Sequence, residues 1–152
     1  MDEFEIMGET IKIKYHADID EIGYVGGKLH SNWIDLRAGE SVEMKAGDYK
    51  LISLGVSIEL PEGYEAIVAP RSSTYAKYGI ILAASIGVID EAYRGDDDVW
   101  YFPAIALRDT YIPINDRICQ FRIFKHQPDL EFDRVFTLGN PNRKGVGSTG
   151  TR

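Results

Sequence analysis

The chain has 152 residues, a formal net charge of −7 and a hydrophobic fraction of 44%. This length fits one domain that buries its own core without disulfides or a structural metal. The acidic charge argues against a nucleic-acid partner, which would require a broad basic face. We also predict no signal peptide and no membrane partner. The single cysteine, Cys119, excludes a disulfide framework, indicates a reduced, cytoplasmic setting and is predicted to be a small buried residue.

Short apolar segments with period-two alternation dominate the chain. Alternation is clearest over residues 11–15, 56–60 and 121–124, as is typical of strands with one buried face. Further apolar runs, each predicted to be a strand, cover residues 51–54, 64–68, 80–83, 99–102 and 105–107. Turn signals separate them: Ala46-Gly47-Asp48, Pro61-Glu62-Gly63 and Asn115-Asp116. Many short strands spaced by roughly ten residues predict a sandwich, jelly roll or barrel.

One short helix is predicted near residues 72–78. Ser72 and Ser73 precede it as candidate N-caps, and Gly79 follows it as a stop signal. The predicted fold class is therefore all-β with one small helix. The glycine-bearing stretch 139–150 is too polar for a core, so it forms an idle tail or becomes ordered over a ligand. We expect a β domain over residues 1–138 and a flexible C-terminal arm over 139–152, whose basic charge suits an anion.

Five segments match, in order and spacing, the sequence motifs of the trimeric dUTPase family. They are Trp33-Ile34-Asp35-Leu36-Arg37-Ala38, Pro70-Arg71-Ser72-Ser73, Gly87-Val88-Ile89-Asp90-Glu91-Ala92-Tyr93-Arg94-Gly95-Asp96, Asp116-Arg117-Ile118-Cys119-Gln120 and Arg143-Lys144-Gly145-Val146-Gly147-Ser148-Thr149-Gly150. From about residue 33 onward the chain thus resembles this family. The resemblance implies a distorted jelly-roll or β-barrel fold of the β-clip type and a homotrimer. It also implies Mg²⁺-dependent hydrolysis of dUTP to dUMP and pyrophosphate.

The resemblance gives Asp90 the role of general base for the water that attacks the α-phosphorus. From the residues alone, Asp90 also suits a purely structural Asx turn. Arg71, Ser72 and Ser73 are implied to hold the triphosphate, with Ser72 near the α–β bridging oxygen. A serine hydroxyl that caps the helix is the structural alternative, and the two roles are compatible.

The remaining roles in the β domain concern the terminal phosphate, the sugar, the base and the metal. Gln120 is implied to contact the terminal phosphate, and a buried glutamine with its own partners is the alternative. The ring of Tyr93 is implied to exclude a 2′-hydroxyl. Backbone groups of a hairpin at about residues 84–93 are implied to read uracil, and those in the motif are Gly87, Val88 and Ile89. Asp35 is implied to lie near the water shell of Mg²⁺, with no direct protein ligand to the ion.

The arm carries a further set of implied substrate contacts: Arg143, Gly147, Ser148 and Thr149. Glycine lets a backbone approach phosphate closely, and the arginine and the hydroxyls supply donors. The resemblance implies that this arm closes over a site built from three subunits.

Two positions depart from the family pattern. Ala84 stands where an asparagine that contacts uracil is usual, and Val146 stands where an aromatic ring usually stacks on the base. Tyr75 or the run 100–102 are candidates to supply that ring. These departures leave open a deoxynucleoside triphosphate pyrophosphatase of relaxed base specificity. A separate alternative is a dUTP-binding trimeric regulatory protein, either non-enzymatic or with a dual role. A dCTP deaminase is disfavoured, because residues 96–102 lack the glutamate that its reaction needs.

Overall fold

The computed structural model describes residues 10–23 and 32–144 of the chain. Within these ranges the backbone forms eleven strands and one short helix, which confirms the predicted all-β class. The elements are β1 Lys12–Tyr15, β2 Ile34–Arg37, β3 Val42–Met44, β4 Tyr49–Ser53, β5 Val56–Glu59, β6 Tyr64–Pro70, α1 Thr74–Tyr78, β7 Ile80–Leu82, β8 Gly87–Ile89, β9 Tyr101–Ala106, β10 Thr110–Ile112 and β11 Arg117–Lys125. None of the described helical structure is long and apolar enough to cross a membrane.

All the strand pairs in the described ranges are antiparallel. The largest sheet has the order β2-β11-β6-β8, a second has the order β4-β9-β7, and the remaining strands pair as β1-β5 and β10-β3. The nine-residue strand β11 is central to the largest sheet. Across it, Gln120 lies opposite both Asp35 on β2 and Ala69 on β6. This register brings distant parts of the sequence to one place.

One hydrophobic cluster contains side chains from every sheet. Trp100 and Phe102 are fully buried in it, and the ring of Trp100 meets that of Phe121 edge-on, with centroids 5.2 Å apart. Strand β9 alternates strictly between its two sides, so that Phe102, Ala104 and Ala106 are buried. Burying a side chain of the size of Phe102 contributes about 1.5–3 kcal/mol.

The strand predictions differ from the structure mainly near Pro103. The predicted runs 99–102 and 105–107 form the single strand β9, because Pro103 is accommodated within it. Its carbonyl accepts a hydrogen bond from the Ala83 N–H at 2.8 Å. Strands β2, β3, β8 and β10 are absent from the predicted set; none is longer than four residues, so each displays little of a period.

The helix α1 begins at Thr74, two residues after its predicted start. Ser73 occupies the N-cap position, which confirms one of the two predicted candidates, but its side chain makes no capping hydrogen bond. The predicted stop signal is confirmed: Gly79 adopts a left-handed conformation with φ of 66°, and its N–H donates to the Tyr75 carbonyl at 2.7 Å.

Candidate active site

Two arginines share one carboxylate where β6 ends and β11 begins. Asp35 Oδ1 lies 3.1 Å from Arg71 Nε, and Asp35 Oδ2 lies 3.3 Å from Arg117 Nη1. Arg71 Nη1 also donates to the Arg117 carbonyl at 3.3 Å. All three side chains are partly exposed. Asp116 adds a second carboxylate nearby, where it accepts the Tyr78 hydroxyl at 2.6 Å. The cluster therefore suits anions through the forked N–H donors of its two guanidinium groups rather than through net charge.

The buried hydroxyl of Thr74 holds the backbone of Arg71 in place. Thr74 Oγ1 accepts the Arg71 N–H at 2.8 Å and donates to the Ile118 carbonyl at 2.8 Å. One hydroxyl thereby ties the end of β6 to β11. The sequence predictions omitted both Thr74 and Arg117 as site residues. The signal for Thr74 is its position three residues after Arg71, since Ser and Thr hydroxyls often bond to nearby backbone groups.

The other predicted phosphate-contacting residues lie beside these arginines. Ser72 and Ser73 follow Arg71 directly and are exposed. Gln120 is half-buried, and its Nε2 donates to the Pro70 carbonyl at 3.0 Å. The structural alternative considered for Gln120, a glutamine that bonds to a group of its own chain, is therefore observed. A primary amide has two N–H donors, however, so one remains for a ligand.

Asp90 lies elsewhere, directly after the edge strand β8. Its Oδ1 accepts the Ala92 N–H at 2.7 Å, and its backbone carbonyl accepts the Tyr93 N–H at 3.0 Å. The Asx turn considered from the sequence is thus formed. Within residues 10–23 and 32–144 the exposed carboxylate takes part in no ion pair. The turn therefore restrains the carboxylate of an exposed side chain through one of its two oxygens.

The segment before Asp90 is not the predicted hairpin. Gly87, Val88 and Ile89 form β8, which pairs with β6, whereas β7 belongs to the other sheet. Residues 83–86 cross between the two sheets, and Ser85 adopts a φ of 68° there. The sequence predicted a hairpin here because the alternating apolar pattern identifies strands but does not specify the conformation of the turn that joins them.

The ring of Tyr93 is held against the core. Its hydroxyl donates to the Val99 carbonyl at 2.7 Å, and the ring packs on the hydrophobic cluster. Burial raises the pKa of the Tyr93 phenol, and the nearby Asp98 and Tyr101 raise it further. The hydroxyl therefore stays protonated as a donor, and the ring position is fixed.

Within one chain the two groups of predicted residues are far apart. Ile89 lies opposite Ala66 on β6, and Arg71 follows β6 five residues after Ala66. Asp90 lies one residue beyond Ile89, so six residues separate it from Arg71 along the sheet, or roughly 20 Å at about 3.3 Å per residue. A general base must lie within about 3 Å of the proton it removes. One chain therefore does not place Asp90 and Arg71 on the same phosphate.

After β11, residues 126–144 form no helix or strand. Arg143 is exposed, as are several large apolar side chains: Leu130, Phe132, Val135, Phe136 and Leu138. Gly147, Ser148 and Thr149, together with Val146, lie outside the described residues. The substrate contacts predicted for the arm at these positions are therefore not part of the geometry that the structure describes.

Two further features concern reactive groups. Among the described residues, no group of three or more His, Cys, Asp or Glu side chains is arranged to hold a metal ion.

Cys119 is completely buried, and burial raises the pKa of its thiol well above the ordinary value. Its predicted role as a small buried residue is confirmed.

A family model described as dUTPase matches residues 31–151 of the chain. The SPbeta prophage-derived deoxyuridine 5'-triphosphate nucleotidohydrolase YosS of Bacillus subtilis is 56% identical over 143 residues, covering 93% of this chain and 99% of that protein. The deoxyuridine 5'-triphosphate nucleotidohydrolase of Finegoldia magna is 36% identical over 128 residues, covering 80% of this chain and 87% of that protein.

Solved structures show the same fold. Staphylococcus bacteriophage 80alpha dUTPase with dUPNHPP superposes with a TM-score of 0.72 at 20% identity, covering 94% of this chain and 99% of that one. The dUTPase from Streptococcus mutans superposes with a TM-score of 0.67 at 20% identity, covering 78% of this chain and 98% of that one. This likeness confirms the predicted jelly-roll-like architecture.

Proposed function

The chain belongs to the dUTPase family, and we propose that it hydrolyses dUTP to dUMP and pyrophosphate with Mg²⁺. The observation that carries the proposal is the pair of guanidinium groups of Arg71 and Arg117, held by Asp35 beside the exposed hydroxyls of Ser72 and Ser73. Such a cluster suits a polyanion such as a triphosphate.

In the proposed reaction, Asp90 accepts a proton from a water that attacks the α-phosphorus. The Asx turn uses one carboxylate oxygen, so the other is available to hold a water. General base catalysis of this type contributes about 10²–10⁴-fold in rate. As the new P–O bond forms, the bond from the α-phosphorus to the bridging oxygen breaks, and pyrophosphate leaves.

Arg71, Ser72 and Gln120 hold the phosphate chain in this proposal. The guanidinium and the Ser72 hydroxyl meet the charge that develops on the leaving pyrophosphate, and the free N–H of Gln120 binds the terminal phosphate. Loss of one preorganised donor at such a position lowers the rate by about 10²–10³-fold. Because Thr74 fixes the Arg71 backbone, the guanidinium is directed before substrate arrives.

The residues present fit an ion held mainly by substrate phosphates and water. Asp35 uses two of its acceptor positions for the arginines, which leaves acceptor capacity for metal-bound water. Mg²⁺ bound to phosphate oxygens would neutralise charge that develops there.

A homotrimer is part of the proposal, because the roughly 20 Å between Asp90 and Arg71 requires that different copies supply them. An exposed apolar face supports association. Tyr49 and Leu51 on β4, Ile81 on β7 and Tyr101 on β9 all point outward from one sheet and are exposed. A contiguous apolar sheet face of this kind is typical of an interface. The exposed apolar side chains in residues 126–144 are a second such surface, and the proposed arm, with Arg143, extends from them over a neighbouring copy's site.

Base and sugar specificity depend on Tyr93 and Ala84 in this proposal. The fixed ring of Tyr93 provides a wall against which deoxyribose fits and a ribose 2′-hydroxyl does not. By contrast, the exposed methyl group of Ala84 offers uracil no hydrogen bond. A missing neutral hydrogen bond lowers affinity by about 0.5–1.5 kcal/mol. This observation favours one second candidate, a pyrophosphatase of relaxed base choice among deoxynucleoside triphosphates.

Pyrophosphate release from dUTP, dTTP, dCTP and UTP, each with and without Mg²⁺, tests both candidates. We expect release from dUTP with Mg²⁺ and much less from UTP. Asp90→Asn keeps the acceptor for the Asx turn, so it should fold normally and lose about 10²–10⁴-fold in kcat. Asp97→Asn, an exposed residue in the next turn, is the matched control.

The possible outcomes separate the parts of the proposal. Undiminished activity of Asp90→Asn would refute the mechanism. Equal rates on dUTP and dCTP would establish the relaxed candidate in place of the strict one. A fully active monomer in sedimentation would refute the shared site.

A further inference from the structure

The turn that carries Asp90 is tied to the first residue after β11. Glu91, next to Asp90, places its Oε1 3.3 Å from Nε2 of His126. The backbone N–H of His126 donates to the Gly63 carbonyl at 3.1 Å, which anchors this point to the β5–β6 turn. We propose that Glu91 and His126 form a positioning pair for Asp90, engaged only while the imidazole is protonated. This inference rests on the proposed function.

The two ring nitrogens of His126 show why protonation is needed. Nδ1 lies 2.7 Å from the Gln127 carbonyl oxygen, which only accepts, so Nδ1 carries a hydrogen. Nε2 faces the Glu91 carboxylate, which also only accepts. A neutral imidazole has a single N–H and would leave one lone pair against an oxygen. Only the imidazolium ion satisfies both contacts.

The surroundings of His126 are strongly acidic. It lines a cavity of about 480 Å³ together with the carboxylates of Glu65, Asp90, Glu91 and Asp129. These come from β6, from the turn after β8 and from the segment after β11, so three elements place negative charge near the imidazole. Nearby negative charge favours the protonated ring.

The direction of the pH effect follows from these contacts. The hydrogen bond to the Gln127 carbonyl raises the pKa of His126, partial desolvation opposes it, and Glu91, Glu65 and Asp129 raise it further. The pair is therefore fully engaged below the ordinary histidine pKa of about 6.5. It is lost as pH rises through the higher value of the folded protein. Above the pKa of His126 in the folded protein, the contact between Glu91 and His126 no longer positions Asp90.

The role of the pair follows from its place in the chain. Glu91 adjoins the proposed base, and His126 begins the segment that leads to the arm. The contact between Glu91 and His126 therefore restrains two parts of the chain together. These are the turn that carries Asp90 and the start of the segment that leads to the arm. Because both side chains are partly exposed, we expect a modest effect, about two- to fivefold in kcat/KM.

The test compares kcat/KM for pyrophosphate release from dUTP in wild type, His126→Gln and His126→Lys from about pH 6 to about pH 9. The ratio of wild type to His126→Gln should be about two- to fivefold at the acidic end and approach about one at the alkaline end. His126→Lys keeps a cation that does not titrate in this range, so it should retain activity at the alkaline end. His16→Gln, at the only other described histidine, is the matched control.

A second measurement uses NMR titration of the imidazole signals, since the chain has only 3 histidines. Glu91→Gln should lower the pKa of His126, whereas Glu131→Gln, an exposed carboxylate outside the cavity, should not. A pH-independent activity ratio, or an unchanged His126 pKa in Glu91→Gln, would overturn the positioning role. Absence of pyrophosphate release by wild type at every pH would instead overturn the proposed function.

Discussion

Substitution of Thr74 by valine tests how the Arg71 backbone is held. Valine has nearly the same shape as threonine but no hydroxyl, so it removes both hydrogen bonds of Thr74 Oγ1. The fully buried Ile118 carbonyl then lacks its donor, which is destabilising by about 1–3 kcal/mol. The half-buried Arg71 N–H loses its acceptor, which adds about 0.5–1.5 kcal/mol. We expect a total loss of about 2–4 kcal/mol.

Thr74→Ser is the matched control, because it keeps the hydroxyl and removes one methyl group, a loss of about 1 kcal/mol. Denaturant unfolding at one fixed protomer concentration measures both variants, since association contributes to the stability of an oligomer. Thr74→Val should also lose activity on dUTP beyond its loss of stability, as Arg71 shifts, whereas Thr74→Ser should not. If the valine variant were as stable as the serine variant, the hydroxyl would not hold β6 to β11.

Three further predictions concern single positions. Gly79→Ala should be destabilised by about 1–2 kcal/mol in denaturant unfolding, because alanine is strained in the left-handed conformation and its Cβ would lie only 2.5 Å from Arg108 Cγ. Tyr93→Phe should lose about 1 kcal/mol of stability with the hydrogen bond to the Val99 carbonyl, yet keep the wild-type ratio of dUTP to UTP activity because the ring remains. Cys119 should resist iodoacetamide in the folded protein, since its thiol is buried and its pKa is raised, and mass spectrometry should detect labelling only after denaturation.

The fold class and much of the strand layout were predictable because they depend on short-range patterns. Alternation over residues 11–15 and 56–60 matches β1 and β5, and the glycine signals at Gly47, Gly63 and Gly79 all have positive φ values in the structure. Such signals act within a few residues of chain, so the sequence displays them directly. The continuous strand β9 was predicted as two runs because Pro103 interrupts the apolar pattern, whereas the sheet accommodates this proline within one strand.

The candidate site was predictable as a set of residues but not as a geometry. Arg71, Ser72 and Asp90 were selected through family motifs, whereas the partners that hold them come from other strands. Arg117 reaches Asp35 only because β2 and β11 pair in one register with a bulge between Arg117 and Cys119. Register depends on long-range packing and turn geometry, which no single motif contains.

The position of β8 shows why a whole site does not follow from neighbouring motifs. The segments that contain Arg71 and Asp90 are close in sequence, and α1 and β7 are the only elements between them. Yet β8 runs antiparallel to β6, so each further residue of β8 carries the chain away from Arg71. No side-chain rotation within one chain offsets a separation of roughly 20 Å set by backbone pairing. The proposed activity therefore depends on the surfaces that join copies of the chain, namely the outward apolar face of β4-β9-β7 and the exposed segment after β11, as much as on the residues that touch the nucleotide.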